Sequence, residues 1–144
     1  MLPTLNGRIQ SRILVTLVVG GLWTAVITPL LPVDGSLGHA YQVTYTVLGT
    51  VIVLGLVWEL IYHGLQQFRW EKDWPTIFGL LTGINEGALI WLLLHLGWLP
   101  GVGDVPLSAF LIHFSTTWFL VWLVQNGPMR VPFIRWRFNG GRFV

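Results

Sequence analysis

Four long apolar stretches, almost free of charge and joined by short connections, decide what this chain can fold into. A charged side chain at the middle of a membrane helix costs on the order of 2.5–3.5 kcal/mol on insertion scales, and roughly 20 mostly apolar residues cross the hydrocarbon core. The stretches lie at about 13–31, 43–63, 75–98 and 107–124. Pro29 and Pro32 close the first, Trp74-Pro75 opens the third, and Asn126-Gly127-Pro128 ends the fourth, which is the punctuation expected at helix ends. Short connections make consecutive helices antiparallel neighbours.

Composition agrees with this reading. Only 10% of the 144 residues are Asp, Glu, Lys or Arg, against about 25% in a soluble domain, and 53% are apolar. An ordinary water-soluble globule and a disordered chain are both excluded. Cysteine is absent, so disulfides, thiolate metal sites and thiol catalysis are excluded too. The expected fold is an all-α integral membrane protein, a four-helix transmembrane bundle over residues 1–128. A basic-aromatic tail occupies 129–144.

The basic residues orient the bundle. Arg8 and Arg12 stand before the first stretch, Arg69 and Lys72 between the second and third, and Arg130, Arg135, Arg137 and Arg142 after the fourth. The connections at 32–42 and 99–106 carry only Asp34 and Asp104 as charges. The positive-inside rule then places both termini in the cytoplasm, in a plasma or inner membrane. The first stretch is longer than the usual signal-peptide apolar region, and no A-x-A-like site follows it, so it reads as a retained helix. Trp23 to Pro32 and Trp91 to Pro100 share one spacing, a faint echo of two parallel hairpins.

Polar residues inside the stretches are where chemistry would begin. Glu86 lies mid-span with Thr82 a turn away and Asn85 adjacent. A lone carboxyl in hydrocarbon is cheapest as the neutral acid, free to donate a hydrogen bond to a neighbouring helix or to serve as a proton site. Glu59 and His63 are four apart near the inner end of the second span, so they share a helix face and can pair; the spacing supplies half of a metal site at most. His95 and His113 fall at similar depth near the outer ends of adjacent spans, where facing imidazoles can hold a haem b iron or one can ligate a chlorophyll magnesium. No metal-binding cluster, nucleophile or substrate pocket can be named, so the chain reads as non-catalytic.

Gly79, Gly83 and Gly87 recur every four residues along one face of the third span, letting another backbone approach closely. That partner is a helix of the same chain, another membrane subunit or a second copy. In the tail, Arg135, Trp136 and Arg137 interleave charge with aromatic surface, as expected for adsorption to anionic headgroups and not for nucleic-acid binding. The expected role is a small accessory or anchoring subunit that packs against other transmembrane helices of a larger complex. The alternatives are a haem- or chlorophyll-bearing subunit using His95 and His113, and a small oligomeric proton-coupled transporter or channel titrating at Glu86.

Overall fold

A computed structural model describes residues 3–144, with no strand among the described residues. Four helices are long and apolar enough to cross a membrane: Leu5–Leu30, Leu37–Gln67, Thr76–His95 and Leu107–Arg130. The first is a composite rod. α1 (Leu5–Val15) runs into a π-helical turn, Thr16–Gly20, then α2 (Gly21–Ile27) and a 3-10 turn, Thr28–Leu30. Thr4 starts it by accepting the Gly7 backbone N–H on Oγ1 at 3.1 Å, which satisfies one of the orphan donors of a helix start.

Ser36 caps α3 (Leu37–Gln67) in the same way, with Oγ accepting the His39 N–H at 3.1 Å. α4 (Thr76–His95) and α5 (Leu107–Asn126) each follow a proline, Pro75 and Pro106, at a position that needs no backbone donor. Gly97 stops α4 with φ of 71°, the left-handed conformation glycine adopts without penalty. A short α6 (Ile134–Phe138) lies in the tail.

The rod begins eight residues before the apolar stretch at 13–31, so Arg8 and Arg12 lie inside the helix and not ahead of it. Both are buried, 7% and 9% exposed. A stripe of polar or small residues runs along the buried face of the rod: Arg8, Arg12, Thr16, Gly20, Thr24 and Thr28, spaced every four residues. On a regular α-helix each four-residue step overshoots a turn by about 40°, which would carry this stripe about 200° around the rod. The π turn inserts about one extra residue and brings the second half of the stripe back by about 100°. The stripe therefore faces the bundle throughout.

Apolar packing holds the two ends. Val43, Val47, Val51, Ile90, Leu94, Val102, Phe110 and Phe114 form a core away from the termini, while Val15, Met129 and Trp136 form another beside them. Between α4 and α5 the glycine strip receives a ladder of rings. A Cβ added at Gly87 would come within 2.7 Å of Phe114, at Gly83 within 2.6 Å of Trp118, and at Gly79 within 3.4 Å of Trp122. Trp118 and Trp122 donate their indole N–H to the α4 backbone, at 3.2 Å to Gly79 O and 2.9 Å to Thr76 O. The strip's neighbour is thus the chain's own α5. The two hairpins suggested by the tryptophan spacing differ, since Trp23 donates to Thr116 whereas Trp91 packs on Phe110.

The tail folds back onto the chain start. Trp136 is 2% exposed and donates to Ser11 Oγ at 2.8 Å, and Ser11 donates on to Gly141 O at 2.9 Å. Thr4 N donates to Gly140 O at 3.0 Å, and Gln10 Oε1 accepts from Phe143 N at 2.8 Å. Both termini therefore sit at one end of the bundle. Arg135 is exposed and Arg137 partly so, whereas the ring between them is buried inward.

Candidate functional site

The inner faces of α1, α3 and α4 meet in a cluster of buried charges. Arg12 crosses the bundle beside Gly55, where a Cβ would come within 3.0 Å of its side chain. Its Nη1 and Nη2 donate to Glu86 Oε2 and Oε1, both at 2.8 Å, and its Nε and Nη2 donate to Glu59 Oε1 at 3.0 and 2.7 Å. The guanidinium plane lies 5.1 Å from the Trp118 ring centre, within the range of a cation–π contact. Two carboxylates thus share one planar fork, the geometry that arginine and not lysine provides.

Arg8, one turn earlier, completes the set. It donates to Glu59 Oε2 at 3.2 Å and to Gln66 Oε1 at 2.6 and 3.1 Å, over the Trp74 ring at 4.7 Å. Gln66 is fixed in turn by donating to Lys72 O at 2.7 Å. Tyr62 donates to Glu86 Oε1 at 2.8 Å and accepts from Asn85 at 2.9 Å. Two arginines and two glutamates balance formally, and every carboxylate oxygen has a partner. Such a network offsets its desolvation only while complete; removing one member of a buried pair costs about 3–5 kcal/mol.

The polar residues picked out by sequence have distinct placements. Glu86 is 1% exposed and sits behind Arg12 as its counterion, so the lone neutral acid expected there is replaced by an ion pair. Asn85 reaches it through Tyr62, and Thr82 turns its hydroxyl to Gly79 O at 3.1 Å. Glu59 faces the arginines and not His63, whose Nε2 lies 3.5 Å from Gln67 and whose Nδ1 has no partner among the described residues. His113 is 3% exposed, its Nε2 engaged with Thr24 Oγ1 at 2.9 Å. His95 is exposed. The two rings therefore have unlike surroundings. Among the described residues no group of three or more His, Cys, Asp or Glu side chains is placed to hold a metal ion.

A cavity of about 400 Å³ adjoins the cluster. Its lining reaches from Pro3, Asn126, Arg130 and Gly140, at the end where the termini meet, past Arg8, Arg12, Glu59 and Tyr62 to Thr16, Thr117 and His113. Thr117 Oγ1, at its deep end, is buried with no hydrogen-bond partner among the described residues. The sequence reading missed Arg8, Arg12, Tyr62, Gln66 and Thr117 as site residues. The four-residue stripe on the rod, and Gly55, Glu59, Tyr62 and Gln66 at helical spacing on α3, are the signals that would have found the first four.

Compared with known protein families, curated proteins and solved structures, the chain shows no significant match to any of them.

Proposed function

We infer that this protein is a four-span membrane protein that binds a small polar solute in its central cavity and passes it across the bilayer. The single observation that carries this reading is the cavity of about 400 Å³ running from one end of the bundle past Arg8, Glu59 and Arg12. Its size falls among sites for small molecules, roughly 300–1,000 Å³. Buried charges that serve packing alone are often replaceable by apolar residues with no loss of stability. Charges that line an open cavity in a membrane bundle mark solute or ion paths instead. Glu59 and the two arginines form the solute-facing wall, with Glu86 holding Arg12 from behind.

The six Lys and Arg residues outside the cluster lie in the connection at 68–75 or after α5, at the end where the termini meet. The positive-inside rule therefore supports a cytoplasmic cavity mouth and cytoplasmic termini in a plasma or inner membrane. An accessory-subunit role loses its main support, because the glycine strip that would have received a foreign helix is filled by Phe114, Trp118 and Trp122. A haem or chlorophyll role finds His113 already bonded to Thr24.

Uptake into proteoliposomes tests the reading with four labelled probes: tetramethylammonium, acetate, glycine betaine and urea. At least one is expected to enter faster than in protein-free liposomes, and Arg12→Gln is expected to abolish the difference. Rates equal to protein-free liposomes for all four would overturn it.

A further inference from the structure

The cavity stops at His113, and His113 also lines a second pocket nearer the opposite end, together with Leu31, Val33 and Val105. That pocket measures only about 10 Å³, scarcely room for one water. His113 and Val47 line both spaces, and two contacts at this level tie the rod to its neighbours. Thr24 Oγ1 meets His113 Nε2 at 2.9 Å, tying the rod to α5. Thr28 Oγ1 meets Thr44 Oγ1 at 2.9 Å, tying the rod to α3. All four residues are almost fully buried, with Thr24 at 0% and His113 at 3% exposure.

We propose that the Thr24–His113 and Thr28–Thr44 contacts are a gate that closes the cavity from the opposite face, with the π turn Thr16–Gly20 as the point where the rod bends to open it. This rests on the transport reading above. Three features support it. The clasp is built from single hydrogen bonds between neutral groups, which break far more cheaply than the charged pairs around Arg12. The π turn lies between the charged half of the rod and the clasp half, and mid-helix irregularities of this kind mark hinges and functional sites. Thr117, one turn from His113 on α5, carries a buried hydroxyl with no partner among the described residues, so an acceptor and donor stands ready directly beneath the clasp.

Bending at Gly20 and Gly21 would carry Thr24 and Thr28 away from α5 and α3 together. The two pockets either side of His113 would then join into one path, while Arg8 and Arg12, below the bend, keep their carboxylates. The charged cluster is thus the solute-facing wall and the clasp the barrier, at different depths of the same rod.

The chain has no cysteine, so a single Thr117→Cys reports on access to the deep end of the cavity. A membrane-impermeant methanethiosulfonate is applied to either face of vesicles of one orientation. Thr117→Cys is expected to react from the face carrying the termini and to be protected from the other. Adding Thr24→Val, which removes the hydroxyl at nearly constant volume, is expected to raise the opposite-face rate about five- to tenfold, the population shift that losing one hydrogen bond provides. Thr28→Val is expected to act in the same direction, and Thr24→Ser, which keeps a hydroxyl, to stay sealed.

An opposite-face rate unchanged in both valine variants would overturn the gate, as would equal reaction from both faces in Thr117→Cys alone. Failure of the transport reading looks different: no reaction from the face carrying the termini in any of these backgrounds. A general loss of folding is separated by Thr24→Ser, which must retain the protection that Thr24→Val loses.

Discussion

Arg12 donates to Glu59 and Glu86 at once, using four of its five N–H groups, and each partner depends on the others for its charge. Replacing Arg12 with Met leaves two buried carboxylates facing each other, so unfolding in mixed micelles is expected to show a loss of about 3–5 kcal/mol. Glu86→Gln keeps an acceptor for Tyr62 and is expected to cost less, about 1–3 kcal/mol. The double variant is expected to lose less than the sum of the two, with a coupling of about 0.5–3 kcal/mol. Glu59 and Glu86 were visible in the sequence as intramembrane carboxylates, yet their partners were not. A span drawn by hydropathy begins where charges stop, which places Arg8 and Arg12 outside it. On α3 the choice of His63 as Glu59's partner followed the four-residue rule; the residues that turn inward with Glu59 are Tyr62 and Gln66, three and seven positions on.

Within the elements, spacing is converted into shape. The strip on α4 shows how unevenly three glycines in register are used. Gly83→Ala puts a methyl where Trp118 already lies, 2.6 Å away, and is expected to cost about 1–3 kcal/mol through overpacking. Gly79→Ala meets Trp122 at 3.4 Å and is expected to stay within about 0.5 kcal/mol of wild type. Equal losses at both positions in the same unfolding assay would contradict the ring ladder. On the rod, the π turn corrects the drift of the polar stripe. Deleting Val18, which is exposed on the outer face, converts the turn to regular α-helix with Thr24 and Thr28 still facing inward. That variant is expected to melt near wild type yet to pass solute more slowly, since the bend is gone. Inserting one alanine after Val18 instead swings the clasp residues about 100° away. Orphaning His113 is then expected to cost about 1–3 kcal/mol, while Thr44 keeps its bonds to Ala40 O and Tyr41 O. The spans themselves were legible, because Pro, Gly and the apolar runs act locally. The π turn was not, since its cause is the register between one face of the rod and three other helices.

At the scale of the molecule, the two ends of the chain close one end of the bundle together. Trp136 anchors this closure through Ser11, and Gly7 lets the backbone at Gly140 pass so closely that no side chain fits there. Trp136→Ala is expected to release the tail, with trypsin cutting at Arg135 and Arg137 at least about tenfold faster, as local opening no longer breaks a buried contact. An unchanged cutting rate would show that the anchor is unimportant. The sequence marked Trp136 as a ring between arginines, a pattern suited to a lipid surface. What turns the ring inward is Ser11, 125 positions away, beyond the reach of any local signal.

Transport through the cavity requires that water reach the charged cluster along the inner face of the rod while its outer face meets lipid. A set of single-cysteine variants in this cysteine-free chain measures that directly, using a water-soluble thiol reagent on the reconstituted protein. Ser11→Cys, Thr16→Cys and Thr117→Cys, which line the cavity, are expected to react readily. Leu22→Cys and Val26→Cys, at exposed apolar positions 68% and 63% accessible on the outer face, are expected to be protected by lipid. Reaction at the outer positions with protection at Ser11, Thr16 and Thr117 would contradict the account.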